Sequence, residues 1–241
     1  MPRRRLRSAS PSSGAAAREA YRILRSNLLV SIADLENPVV IVTSAMPNEG
    51  KTSTCAQLAV SLAQAGLRVV LVDLDLRHPD AHHVIGAPND LGVTDVLLER
   101  HTLEECLQYI DLGGEGGREV GLYFLGTGQG IVNPTELLGT RRTNRLLENL
   151  ALQADIVLLD TPPVLPVADT LVIGRMAAGA VLVVEAGNTP SNTVLEAKDA
   201  LTRNQTRLLG VVLNKIDERG APRTYGYGYR DADEDGLPAV N

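Results

Sequence analysis

The loop Ala45-Met46-Pro47-Asn48-Glu49-Gly50-Lys51-Thr52 follows a β-branched run at residues 39–43 and opens a stretch of helical period. This is the pattern of a phosphate-binding P-loop, with Ala45 standing in place of the first glycine. The residues from Ala45 to Ser53, through Pro47, Asn48, Glu49 and Gly50, should wrap a chain of phosphates. There the backbone donors and the helix dipole favour negative charge. Lys51 would set a point charge on the terminal phosphates, and the Thr52 hydroxyl would take a position on Mg²⁺. Two more apolar runs end in acids: residues 69–72 deliver Asp73 and Asp75, and residues 156–159 deliver Asp160. Ligands of open parallel sheets lie beyond the carboxyl ends of the strands, so all three carboxylates can face Lys51. Asp160 suits a Mg²⁺ ligand, and one of Asp73 and Asp75 can do likewise. The other is left as a candidate base for an attacking hydroxyl or water. The assignment adopted is Thr52, Asp75 and Asp160 to the metal and Asp73 to the proton. Phosphoryl transfer asks for little else, being mostly positioning and charge stabilisation.

Positioning these groups requires a sheet whose strands end side by side. Short aliphatic runs alternate with longer amphipathic stretches from residue 39 onward, which predicts an α/β fold with a doubly wound, mostly parallel sheet flanked by helices. Buried strands are expected at 39–43, 68–72, 155–159, 180–184 and 208–213, with a weaker one near 122–125. Helices are expected at 19–33, 51–65, 134–150, 167–176 and 193–204. The chain of 241 residues fits one such domain, spanning 18–217, between a basic tail at 1–17 and a carboxyl-terminal tail at 218–241. Both tails read as disordered. Four arginines in the first seven residues read as a solvated end or a weak contact with anionic lipid.

Composition excludes several classes. A net charge of −6 argues against a nucleic-acid binder. No apolar run approaches the ~20 residues of a bilayer-spanning helix. Cys55 and Cys106 have no metal-ligand spacing and fit a reducing cytosol.

Further motifs carry a family resemblance. Glu19-x-x-Arg22-x-x-Arg25 lies on the first helix, and Asp73-x-Asp75-x-Arg77 is followed by Pro79 and His82. Asn133-Pro134-Thr135-Glu136-Leu137-Leu138 and Asp160-Thr161-Pro162-Pro163 come next, and Tyr225, Tyr227 and Tyr229 alternate with glycines near the end. In this order, and together with the P-loop, the motifs resemble the bacterial tyrosine kinases of capsule and exopolysaccharide synthesis in their stand-alone cytoplasmic form. Partition and cell-division ATPases share the fold, but their P-loop carries a second lysine where this chain has Met46. A partition or positioning ATPase is therefore the alternative reading. Asn214-Lys215-Ile216-Asp217 matches the base-reading motif of GTPases; the resemblance instead implies ATP, with Asn214 beside the adenine.

The resemblance also implies the partners. Glu19, Arg22 and Arg25 share one helix face and would build a homo-oligomeric ring. The three tail tyrosines would be autophosphorylated, a membrane adaptor resembling a polysaccharide chain-length regulator would hold the kinase at the inner face of the membrane, and a cognate tyrosine phosphatase would reverse the reaction. On their glycine spacer the tyrosines can enter an active site, and each phosphate adds about −1.5 to −2 charges.

Overall fold

The computed structural model describes residues 4–5, 14–36, 38–114, 119–131 and 133–216. Its strands are β1 (Arg4–Arg5), β2 (Val39–Ser44), β3 (Val69–Asp73), β4 (Gln108–Asp111), β5 (Gly121–Leu125), β6 (Ile156–Asp160), β7 (Gly179–Glu185) and β8 (Leu208–Asn214). They form one sheet in the order β1-β4-β5-β3-β6-β2-β7-β8. Every pairing is parallel except that of β4 with β5. The helices are α1 (Ala15–Ile32), α2 (Lys51–Gln64), α3 (Ala81–Ile85), α4 (Val93–Leu97), α5 (Leu103–Cys106), α6 (Pro134–Leu138), α7 (Arg141–Gln153), α8 (Asp169–Gly174) and α9 (Ser191–Arg203).

Strand side chains alternate between faces, and each face has its own core. Val40, Val42, Val69, Leu71, Ile156 and Leu158 pack with Leu28 of α1, Leu58 and Leu62 of α2, and Ile85 of α3. Val39, Ile41, Val70, Val72, Val157 and Leu159 pack on the other face with Val93, Leu138, Leu147, Ile173 and Leu201 from α4, α6, α7, α8 and α9. Strands covered on both faces read as unbroken aliphatic runs, which is why β2, β3, β6 and β7 are wholly or almost wholly buried.

Beyond β4 and the short helices α3, α4 and α5, which were not expected, the observed elements depart from the expected ones in three places. The expected helix at 134–150 is two helices: α6 ends at Gly139, and the Thr140 side chain accepts from the Thr143 amide to start α7. The strand expected as buried at 208–213 is β8, which lies at the sheet edge with Val211 and Leu213 about half exposed. Lastly, Arg4–Arg5 pairs with Ile110–Asp111, and α1 begins at Ala15, both inside the stretch expected to lack structure.

The register sets up the site. Val42 pairs with Asp160, and Asp73 pairs with Asp160 from the other side. The carboxyl ends of β2, β3 and β6 thus converge where α2 begins.

Candidate active site

The loop between β2 and α2 is held by contacts made with its own atoms. Asn48 and Gly50 have left-handed backbones, with φ of 66° and 87°. Only glycine fits at position 50, because an added Cβ would stand 2.1 Å from the Asn214 side-chain nitrogen. That nitrogen donates to the Glu49 carbonyl oxygen at 2.9 Å, tying the end of β8 to the loop. Glu49 is buried, and its carboxylate accepts from the Met46 amide at 2.8 Å and from the Thr189 hydroxyl. Its side chain therefore braces the loop from behind, and only its backbone is available to a nucleotide.

Lys51, the first residue of α2, reaches back across the strand ends. Its Nζ lies 2.8 Å from Asp75 Oδ2, 3.7 Å from Asp160 Oδ1 and 3.2 Å from the Thr52 hydroxyl. Burial alone would lower its pKa, but the charges of Asp160 and Asp75 outweigh burial and hold the ammonium above its ordinary value. Asp160 is wholly buried, and burial pushes its carboxyl up to about 6 against the opposing pull of Lys51. Asp73 is also fully buried, and burial together with the Asp160 charge raises it well above the ordinary carboxylate range. Its two oxygens accept from the backbone amides of Asp75 and Ala81, each at 3.1 Å.

Three carboxylates around one lysine leave the site short of positive charge. Both oxygens of Asp160 are buried without a hydrogen-bond partner, a costly condition for an isolated protein group and a suitable one for a cation or its bound water. Thr52 and Asp160 thus fit Mg²⁺, with Asp75 adjacent. Among the described residues no three His, Cys, Asp or Glu side chains form a metal cage. Phosphate oxygens and water would complete the shell, as is usual for this ion.

A cavity of about 960 Å³ opens over these groups. Of the residues predicted from sequence, Pro47, Asn48, Gly50, Lys51, Thr52, Ser53 and Asp75 line it. Ala45, Glu49, Asp73, Asp160 and Asn214 do not line it. The residue assigned to the proton, Asp73, is therefore sealed in this conformation, and Asp75 presents the open carboxylate. His78, Asp80, His83, Pro163 and Lys215 also line the cavity and carried no prior assignment. Lys215 sits over the loop, donating to the Asn48 carbonyl at 2.6 Å and pairing with Glu185 at 2.9 Å.

Arg77 fixes the segment that carries Asp75. It grips the fully buried carboxylate of Asp169 at 2.8 and 3.1 Å and donates to the Thr135 hydroxyl at 2.9 Å. Thr135 also bonds Asp169. Two of the sequence motifs therefore meet through Asp169, which sequence reasoning missed.

The proposed interface residues are divided between two environments. Glu19 and Arg22 form an exposed pair at 3.2 Å, whereas Arg25 turns inward and donates to the Ser61 carbonyl of α2 at 2.9 Å. Tyr225, Tyr227, Tyr229 and Asp217 lie outside the described residues. Both cysteines are buried free thiols. No helix among the described residues is long and apolar enough to cross a membrane.

Comparison with known proteins agrees with this geometry. Residues 40–234 match the CobQ/CobB/MinD/ParA nucleotide binding domain. The chain is 38% identical over 211 residues to tyrosine-protein kinase YwqD of Bacillus subtilis, covering 87% of this chain and 85% of that one. The kinase domain of the Escherichia coli tyrosine kinase ETK superposes with a TM-score of 0.80 at 32% identity, over 92% of this chain and 84% of that one. The cell division ATPase MinD of Pyrococcus furiosus shares the fold at a TM-score of 0.62 and 22% identity, over 77% and 76% of the two chains. With its P-loop lysine set among three strand-end carboxylates, the chain belongs to the bacterial tyrosine-protein kinases, within the CobQ/CobB/MinD/ParA nucleotide-binding family.

Proposed function

We propose that this protein transfers the γ-phosphoryl group of ATP to Tyr225, Tyr227 and Tyr229 in the tail of a second copy of itself. It would thereby regulate the synthesis and export of a capsular or extracellular polysaccharide. The observation that carries the reading is the single ammonium of Lys51 within 2.8 and 3.7 Å of two strand-end carboxylates at the head of the P-loop helix. In the reaction a phenol oxygen bonds to the γ-phosphorus as the bond from that phosphorus to the β–γ bridging oxygen breaks. ADP leaves with the bond's electron pair, and the phenol proton passes to a carboxylate. Lys51 and the loop amides bind and orient the phosphates. Thr52 and Asp160 would hold Mg²⁺, with Asp75 beside them; when bound, the ion supplies charge neutralisation across the phosphate oxygens. Asp73 has the basicity to accept the proton. Each of its oxygens keeps a lone pair beyond its backbone bond, and its access to a phenol would require a rearrangement of the groups that bury it. We further propose a ring of copies joined through the helix face of Glu19, Arg22 and Arg25, docked on a membrane adaptor at the cytosolic face and reset by a cognate phosphatase.

The test is phosphotyrosine mapping of purified protein supplied with Mg·ATP, beside Lys51→Met and a chain in which the three tail tyrosines are Phe. The reading expects label on the tail tyrosines of the parent only. Undiminished labelling of Lys51→Met would assign the activity to another enzyme. ATP turnover that survives removal of residues 218–241, with no phosphotyrosine anywhere, would favour the positioning-ATPase reading.

A further inference from the structure

The cavity over Lys51 has two ends, and strand order tells them apart. Asp75, His78, Pro79 and Asp80 follow β3, whereas Lys215 follows β8. In the sheet β3 and β8 stand four strand spacings apart, about 19 Å. Lys51 turns its charge toward the β3 and β6 side, to Asp75 and Asp160. Terminal phosphates that meet this charge leave the nucleoside to lie toward β8. In-line transfer requires the phenol to approach from the side opposite the leaving oxygen, which is the β3 end of the cavity. That end carries groups with no part in holding phosphates. Pro79 and His83 offer ring surfaces to a phenol, with His83 backed by His82 at 3.9 Å between ring centroids. Asp80 immediately precedes α3, where an aspartate commonly accepts from the helix, yet its side chain makes no cap hydrogen bond. Its neighbour His82 is kept neutral near pH 7 by burial, which lowers its pKa. Asp75, the other acid lining the cavity, is engaged by Lys51. Exposed Asp80 is thus the carboxylate of this wall that an incoming cation can meet.

The substrate proposed for this site has the matching charge. Residues 223–230 hold two arginines and no acid. In an extended chain, side chains two residues apart share a face. Tyr225 entering the cavity therefore brings Arg223 to the same wall, whereas Tyr229 brings Asp231 and Tyr227 brings only the other tyrosines. We infer that Asp80, with Pro79 and His83, forms the acceptor subsite and selects Tyr225 through Arg223, so that Tyr225 is phosphorylated before Tyr229; this rests on the kinase reading above. Attraction of Arg223 and repulsion of Asp231 act in the same direction, because both charges face the one carboxylate.

The test resolves labelling by site. A donor chain whose own three tail tyrosines are Phe receives Mg·ATP and the full Lys51→Met chain as acceptor, and the earliest phosphate is mapped by mass spectrometry. The inference expects Tyr225 to be labelled roughly fivefold faster than Tyr229, the upper end for a pair of exposed charges. Arg223→Gln in the acceptor should reduce the preference by raising the apparent KM for Tyr225, and Asp80→Asn in the donor should abolish it. An Asp80→Lys donor should favour an Arg223→Glu acceptor over the parent acceptor, an exchange of preference that a misfolded donor cannot produce. Equal initial rates at Tyr225 and Tyr229, or a preference that survives both neutral variants, would overturn the inference and leave the kinase reading standing. Absence of phosphotyrosine from every pairing would sink the kinase reading, and the subsite with it.

Discussion

Lys51 Nζ and Asp75 Oδ2 lie 2.8 Å apart, so the lysine that should meet the phosphates is already engaged by a carboxylate of its own chain. The pair is nearly buried, with 12% of the lysine and 3% of the aspartate side chain exposed. Phosphates entering the cavity must compete with Asp75 for the ammonium. Nucleotide binding must therefore part this pair before Lys51 can serve the phosphates.

Removing each partner should therefore have opposite effects on binding. Among the described residues Lys51 is the cation set between the three carboxylates, so in Lys51→Met labelling should fall on the order of a thousandfold, as expected of a phosphate-stabilising charge. Asp75→Asn frees the lysine. Its affinity for nucleotide without Mg²⁺ should rise by about 1 kcal/mol, or roughly fivefold, while labelling is lost. Displacement of a fluorescent nucleotide reads both. Weaker Mg²⁺-free binding in Asp75→Asn would mean that the pair is not a competitor of the phosphates.

The Asp169 carboxylate joins Arg77 and Thr135 without lining the cavity. Asp169→Asn leaves the partly exposed Arg77 guanidinium short of its charged partner and loses charge-assisted hydrogen bonds worth about 1.5–3 kcal/mol. Arg77→Lys cannot reproduce the two-point grip and should behave similarly. Thr135→Val removes a single hydroxyl and should cost about 1 kcal/mol. Urea unfolding gives the ranking. Unchanged midpoints in Asp169→Asn would show that the grip does not hold the Asp75 segment.

Gly50 and Asn214 test how β8 supports the loop. Gly50→Ala meets the Asn214 nitrogen and must also hold a left-handed backbone, a strain of about 1–2 kcal/mol by itself. Nucleotide binding should be lost. Gly50→Ala combined with Asn214→Ala relieves the collision but not the backbone strain, so binding should return only in part. Full recovery in the double variant would assign the whole requirement for glycine to the neighbouring amide.

These groups were unequally legible in the sequence. Buried strands such as β3 and β6 announce themselves as unbroken aliphatic runs ending in acids, so Asp73, Asp75 and Asp160 could be placed beside Lys51 from spacing alone. The β4 segment, Gln-Tyr-Ile-Asp, is half-buried and mixes polar with apolar residues, and α3, α4 and α5 each span fewer than six residues. Neither shows a period long enough to read. Asp169 went unseen for another reason: its partner Arg77 lies 92 residues away, and a long-range ion pair leaves no trace in local pattern. The Thr140 cap was visible as a threonine after glycine, yet the apolar period across it reads as one helix. Nor can sequence say which way a loop carboxylate turns, so Glu49 looked like a cavity residue.

Asp160 couples stability to pH. Its carboxyl is pushed up to about 6 in the fold from an ordinary 3.8, with burial the largest cause. A carboxyl raised in this way favours the fold while it holds its proton. Below about pH 4 folded and unfolded chains both carry that proton, and the contribution is fully present. As pH rises through about 6 the folded chain must ionise a group that burial disfavours, and the contribution is lost. The difference corresponds to about 3 kcal/mol at pH 7.5. Asp160→Asn, which cannot ionise, should therefore be more stable than the parent by up to that amount at pH 7.5, with the gap closing toward pH 4. Adding Mg²⁺ and ADP should reverse the order, since only the parent presents a carboxylate to the cation. Urea unfolding of both chains across this range, with and without the ligands, decides the matter. A stability difference that does not vary with pH would mean that Asp160 keeps an ordinary acidity, its burial already offset by Lys51.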